Sequence, residues 1–289
     1  MSSIKPQQQQ VWDWKAAANF ILGGTGTGLM LFASIDGLTG GGAFRIAAVV
    51  AFCLVAVGLS LILLKIGRPL RFLNAFFNPQ TSWMAREAYA ALPYFGAAAV
   101  AVLVDSSLIG LAAAVFGLLF LYCQARILKA CKGVPAWRAP WTVPLVMITG
   151  LVEGAGLMVA ISAFGAAAPA WLTVTFAGLV LVRMSIFAAY RSRLSSDGAP
   201  LDVLRRLTRV NSTMLLAGFI IPLALSAAVL LHLTGTPVLA LLAGFAGVLS
   251  GWDLKFSLVR RLGHYQGMAI SVAPARGGGS AGPGTRPGW

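Results

Sequence analysis

The stretch AFRIAAVVAFCLVAVGLSLILL, residues 43–64, holds 22 residues and a single charged side chain, Arg45. At about 1.5 Å per residue it forms a helix of about 33 Å, which matches the hydrocarbon thickness of a bilayer. Seven further stretches have the same character: 17–39, 87–105, 106–128, 141–164, 169–190, 211–233 and 236–252. The chain is therefore expected to be an all-α integral membrane protein with eight transmembrane helices. Composition agrees, since 58 % of residues are hydrophobic, only 10 % are charged and mean hydropathy is +0.82. Such values lie far outside those of soluble domains.

Orientation follows from the cations. Lys5 and Lys15 precede span one, and Lys65, Arg68, Arg71 and Arg86 follow span two. Arg126, Lys129, Lys132 and Arg138 follow span four; Arg191, Arg193, Arg205, Arg206 and Arg209 follow span six; Lys255, Arg260, Arg261, Arg276 and Arg286 follow span eight. Only Arg45 and Arg183 escape this pattern. The positive-inside rule then puts both termini and the three long loops in the cytoplasm. The net charge of +14 accordingly reads as orientation and contact with anionic lipid, with or without a partner subunit on that face, and gives no reason to expect nucleic acid.

Three regions are expected: a polar tail (1–16), the membrane domain (17–262) with an interfacial loop at 65–86, and a Gly- and Pro-rich tail (263–289) with the composition of a disordered segment. The opening MSSIKPQQQQ is polar and leads through Trp12 and Trp14 into a full span, so no cleavable signal peptide is expected. Cys53, Cys123 and Cys131 have no paired spacing, which argues against a disulfide framework or a cluster held by this chain. His232 and His264 fall at opposite membrane faces and cannot share one haem iron. No haem and no bound metal are expected.

Ionisable groups inside spans are costly and point to function. Glu153 in span five and Arg183 in span six lie at depths that an extended arginine can bridge, so a buried pair is expected. It is either an interhelical clamp or the lining of a ligand or proton path. Asp36 and Asp105 sit at external helix ends and read as solvated caps. Span one contains ILGGTGTGL, in which Gly24 and Gly28 form a small-xxx-small ridge. Close backbone approach there also makes room for a flat ring, for which Asn19, one turn earlier, is a hydrogen-bonding candidate.

The loop LLKIGRPLRFLNAFFNPQTSWMAREAY is the most specific segment. Between Pro69 and Pro79, residues Leu70, Leu73, Phe76 and Phe77 share one helical face, suited to a short helix in the interface. Trp83, Arg86 and Glu87 then enter span three. Aromatic surface, a cation and a carboxylate at the hydrocarbon boundary suit a quinone, whose tail needs apolar entry, whose oxygens need donors and whose reduction needs protons. A plain interfacial anchor with a solvated Glu87 is the other reading.

Gly67-Arg68-Pro69, Asn78-Pro79 and Ser82-Trp83-Met84-Ala85-Arg86-Glu87, with the Trp12 to Gly28 opening and Pro135-Ala136-Trp137, resemble membrane-anchor subunits of the dimethyl sulfoxide reductase type, related to polysulfide reductase membrane subunits. The resemblance covers most of the chain. It implies a metal-free, eight-helix subunit in the bacterial inner membrane. Such a subunit exchanges electrons between ubiquinone or menaquinone and an iron-sulfur partner, which serves a molybdenum or tungsten pterin enzyme. It also implies that Glu87 is the acidic residue of the quinone site, exchanging protons with the ring. Arg86 would stabilise negative charge on the ring oxygen, and Trp83 would pack against the ring.

The cytoplasmic motif loop departs from the dimethyl sulfoxide enzyme, whose soluble subunits lie outside. It fits a branch with catalytic subunits inside, such as phenylacetyl-CoA:acceptor oxidoreductase, which the WDWKAAANFILGGTGTGL opening resembles more, or sulfite:quinone oxidoreductase. Two other classes remain: a secondary transporter built on Glu153, Arg183 and the glycine-interrupted span one, and a purely structural anchor.

Overall fold

The computed structural model describes residues 2–4, 7–66, 73, 76–165, 168–197, 199, 201–265 and 268–270. The Gly67-Arg68-Pro69 motif, Leu70, Arg71, Lys5 and the tail 271–289 fall outside them, and with them most of the expected interfacial helix.

Among the described residues, eight helical spans are long and apolar enough to cross a membrane. They are α1 (Trp14–Leu38), α2 (Phe44–Ile66), α3 (Trp83–Val104), α4 (Ser107–Ala130), α6 (Thr142–Ser162), α7 (Ala170–Ser196), the seventh span, and α10 (Thr236–Phe256), with a four-residue α5 (Pro135–Arg138) before α6. The seventh span joins α8 (Leu201–Leu215) to α9 (Ile221–Leu230) through a π-helical turn, Leu216–Ile220. A second π turn, Ser257–Arg261, extends α10.

Local chemistry sets the helix starts. Asp13, Ser82 and Ser106 cap α1, α3 and α4 by accepting from Ala16 N, Ala85 N and Ile109 N, which satisfies amides that a helix start leaves unpaired. Pro135 and Pro237 occupy first-turn positions, where a missing N–H costs nothing. α8 is amphipathic: Val203, Leu207, Val210 and Met214 are buried at helical spacing, while Arg205 and Arg209 face outward.

α1 and α6 form the centre, with 72 % and 78 % of their apolar windows buried, against 28–50 % for the other six spans. α1 packs on α2, α4, α6 and α10; α3 packs on α4; α6 packs on α7 and α10. The α1–α6 contact is made by backbone: a side chain on Gly28 would strike Gly150 O, and one on Gly154 would strike the Gly28 main chain. Gly28 thus serves the helix packing expected of it, while Gly24 has a different neighbour, described below.

At the end of the bundle where α1 begins, α5 is folded inward. Trp137 is buried and donates from Nε1 to Leu258 O (2.7 Å), and Tyr190 donates to Ala136 O (3.0 Å). Residues 2–4 and 7–8 meet residues 264–265 and 268–270 on the same base. β1 (Ser2–Ile4) pairs antiparallel with β4 (Met268–Ile270), and β2 (Gln7–Gln8) with β3 (His264–Tyr265). The expected disordered tail from 263 onward therefore contributes two paired strands before residue 271. Buried Gln9 secures the ribbon, donating from Nε2 to Trp12 O and Val259 O. His264 is buried beside Arg206, and burial first, then that cation, holds its imidazole below the ordinary 6.5.

Candidate functional site

The first turns of α1 and α3 and the last turns of α4 converge on Glu87. Only 8 % of Glu87 is exposed, because Ser82 ends the loop one turn earlier and commits the chain to helix before the carboxylate is reached. The solvated Glu87 of the plain-anchor reading is therefore not found; the carboxylate is largely buried. Asn19 Nδ2 donates to Glu87 Oε1 (3.4 Å), and Gln124 Nε2 donates to Asn19 O (3.2 Å). The Gln124 side chain also lies against Glu87.

These contacts fix both amide orientations, since turning either group would set oxygen against oxygen. Among the described residues, Asn19 Oδ1 and Gln124 Oε1 are then left buried without a hydrogen-bond partner. Each abuts a glycine: a Cβ on Gly58 would lie 3.2 Å from Asn19 Oδ1, and one on Gly23 would lie 3.1 Å from Gln124 Oε1. Buried polar atoms are almost always paired. Two acceptors left unpaired beside a carboxylate can each take a hydrogen bond from a donor.

Trp83 and Arg86 stand at the mouth. The guanidinium carbons of Arg86 and Arg126 lie 4.2 Å and 4.4 Å from the Trp83 ring centre, and Tyr122 meets the same ring edge-on at 5.8 Å. Arg86 also donates from Nε to Pro79 O and from Nη2 to Gln80 O, both at 2.7 Å. Its directed donors hold the loop and its flat face holds Trp83. Among the described residues Arg86 forms no ion pair with Glu87, as expected for consecutive helical residues, which point apart.

Glu153 and Arg183 lie elsewhere and do not form the expected direct pair. Glu153 Oε2 is 2.6 Å from Lys255 Nζ and 2.9 Å from Thr25 Oγ1, which accepts from Trp252 Nε1 (3.0 Å). Both charges are fully enclosed. Lys255, counted among the loop cations after span eight, is therefore an intramembrane ion-pair partner, because α10 continues beyond residue 252. Gly24 and Gly251 leave room for this pair, as a Cβ on either would collide with Lys255 Nζ or Glu153 Oε1. Arg183 donates instead to Gly218 O (2.6 Å), Gly247 O (3.1 Å) and Ser250 Oγ (3.1 Å). Gly218 O is free to accept because Pro222, four residues on, has no N–H, and the π turn tilts that carbonyl out of the ladder.

Of the residues singled out from sequence, the structure thus brings Asn19 and Glu87 together, with Trp83 and Arg86 adjacent. It gathers Gly24 and Glu153 around Lys255, and places Arg183 behind them. Gln124 was missed because it is a lone neutral amide in LFLYCQAR, and a search restricted to ionisable groups passes over it. Arg126 was read only as an orienting charge.

The family model described as DMSO reductase anchor subunit (DmsC) matches residues 10–193. That interval contains spans one to five, all but the last three residues of α7, and every residue of the Glu87 site. No curated protein matches the chain.

Proposed function

Because the chain belongs to the DMSO reductase anchor subunit (DmsC) family, and is thus a multi-pass membrane anchor subunit of a DMSO reductase-type oxidoreductase complex, we propose that its Glu87 site is where that complex meets the membrane quinone pool. A bound quinone supplies two-electron, two-proton chemistry between the bilayer and an iron-sulfur partner subunit, which serves a molybdenum or tungsten pterin subunit. The chain itself holds the ring and handles the protons.

The single observation that carries this reading is the set of unpaired acceptors. Asn19 Oδ1 and Gln124 Oε1 are buried and unsatisfied next to the Glu87 carboxylate. A quinol has two hydroxyl hydrogens to give such acceptors; a phospholipid tail has none. The site therefore holds the reduced ring most firmly, whichever way electrons run. Glu87 would take the two hydroxyl protons in turn when the ring is oxidised, passing each to cytoplasmic water before the next, and would return them in the same way when it is reduced. Arg86 acts as a positioning residue, tying Pro79, Gln80 and Trp83 into a rim that excludes bulk water. The concentration of Arg126, Lys129, Lys132, Arg193, Arg205 and Arg260 towards this end supports a cytoplasmic placement of the partners. That arrangement suits a branch such as phenylacetyl-CoA or sulfite oxidation.

Glu87→Gln tests the reading, because it keeps shape and removes proton exchange. In the assembled complex, electron transfer between partner and quinone should fall by about a hundredfold, the scale of general acid–base catalysis. Partner activity with a soluble dye should be unchanged. Full quinone-linked turnover in assembled mutant complex would remove Glu87 from the mechanism.

A further inference from the structure

At the opposite end of α1 lies a groove of about 950 Å³ between the α1–α2 turn and the α6–α7 turn. Its walls include Ile46, Ile161, Phe164 and Trp171. One charged side chain lines it, Asp36, in the last turn of α1. Asn19 and Asp36 are seventeen residues apart, or about 26 Å along the helix. The groove therefore belongs to the other leaflet and has no part in the Glu87 site.

Asp36 was expected to be a solvated cap, yet only 4 % of it is exposed. Among the described residues its carboxylate accepts no hydrogen bond and joins no ion pair. Burying a carboxylate without compensation is expensive, and the remaining open side of Asp36 is the groove. Whatever fills the groove must then bring a positive charge with N–H donors to Asp36 and apolar surface to the walls. The start of α2 borders the same space: Ala43 lines it, and the first amides of a helix have no intrahelical acceptor and attract anions. Side chains added at Gly40 or Gly42 would meet nothing within 4 Å. At Gly41, between them, a side chain would strike the Asp36 carboxylate, so the acidic group rests against this turn with the start of α2 beside it.

We propose that this groove is a specific lipid site that takes a phosphatidylethanolamine headgroup, with the primary ammonium on Asp36, the phosphate on the opening amides of α2 and an acyl chain against Phe164 and Trp171. Phosphatidylglycerol offers Asp36 no cation, and a phosphatidylcholine headgroup offers it no N–H. The lipid compensates the buried carboxylate and seals the α1–α2 and α6–α7 turns together.

Native mass spectrometry of the purified complex, after equilibration with equal amounts of phosphatidylethanolamine, phosphatidylglycerol and phosphatidylcholine, tests this. The wild-type chain should retain phosphatidylethanolamine over each of the others by about tenfold, as expected for a hydrogen bond to a charged group. Asp36→Asn should retain all three equally, with quinone-linked turnover unchanged. Equal retention by the wild type, persistence of the preference in Asp36→Asn, or an isoprenoid quinone in place of the phospholipid would each overturn the proposal. If Asp36→Asn does not assemble, the three-lipid comparison in the wild type decides alone. Loss of the preference would leave the Glu87 reading untouched, and loss of quinone turnover in Glu87→Gln would leave the lipid site untouched.

Discussion

Gly23 is where the candidate site is most sensitive to a single atom. A methyl group there would stand 2.7 Å from Gln124 Nε2 and 2.9 Å from Phe120 Cε1, closer than van der Waals contact permits. Gly23→Ala should therefore turn Gln124 away, costing a ligand hydrogen bond of about 1.5 kcal/mol and raising the KM for quinol about tenfold. Dye-linked activity of the assembled complex should not move, and an unchanged KM would detach Gln124 from ligand binding. Asn19 and Glu87 were legible in the sequence as polar groups near a membrane boundary. Their convergence was not, since sixty-eight residues separate them. The reason for Gly23 and Gly24 was hidden as well. A glycine ridge in an apolar helix reads as helix packing, and Gly26 and Gly28 serve that purpose against α2 and α6; Gly23 and Gly24 clear space for the ends of Gln124 and Lys255.

The second charge cluster is a matter of how whole helices are joined. Glu153 on α6, Lys255 on α10 and Thr25 on α1 tie three central helices through one carboxylate. Arg183 on α7 meanwhile clamps the π turn of the seventh span and the glycine face of α10. Removing one partner of a buried ion pair strands the other, at a cost of about 3–5 kcal/mol. Lys255→Met should therefore lower the melting temperature of the detergent-solubilised chain sharply. Adding Glu153→Gln should restore most of it, whereas additive losses in the double variant would show that the two charges do not depend on each other. The sequence showed that Glu153 and Arg183 were buried and near in depth. It misassigned the partner because Lys255 looks like a cytoplasmic flank when span eight is ended at 252. Hydropathy marks where apolar residues stop; it does not mark where a helix stops, and here α10 carries its lysine back under the protein.

Across the whole molecule, eight spans and their approximate limits were readable because each is a long run with few charges, and the bilayer leaves a chain few other options. What hydropathy could not supply was the order of layers, with α1 and α6 innermost, since all eight spans are apolar enough to cross a bilayer whichever neighbours they have. The cation bias sets a testable orientation. Single cysteines at Gln10 and Asp202 in a cysteine-free background should be shielded from a membrane-impermeant maleimide in intact cells, and one at Gly40 should be labelled. The reverse pattern would invert the topology and move the proposed partner face outside. The central claim is that a quinone ring binds among Asn19, Glu87 and Gln124, and photolabelling tests it most directly. A photoreactive quinone, irradiated in membranes holding the assembled complex and mapped by peptide mass spectrometry, should label the α1, α3 and α4 segments around those residues. It should be displaced by excess quinol and be lost in Glu87→Gln. Labelling confined to α6, α7 and α10, or labelling indifferent to both quinol and the substitution, would contradict it.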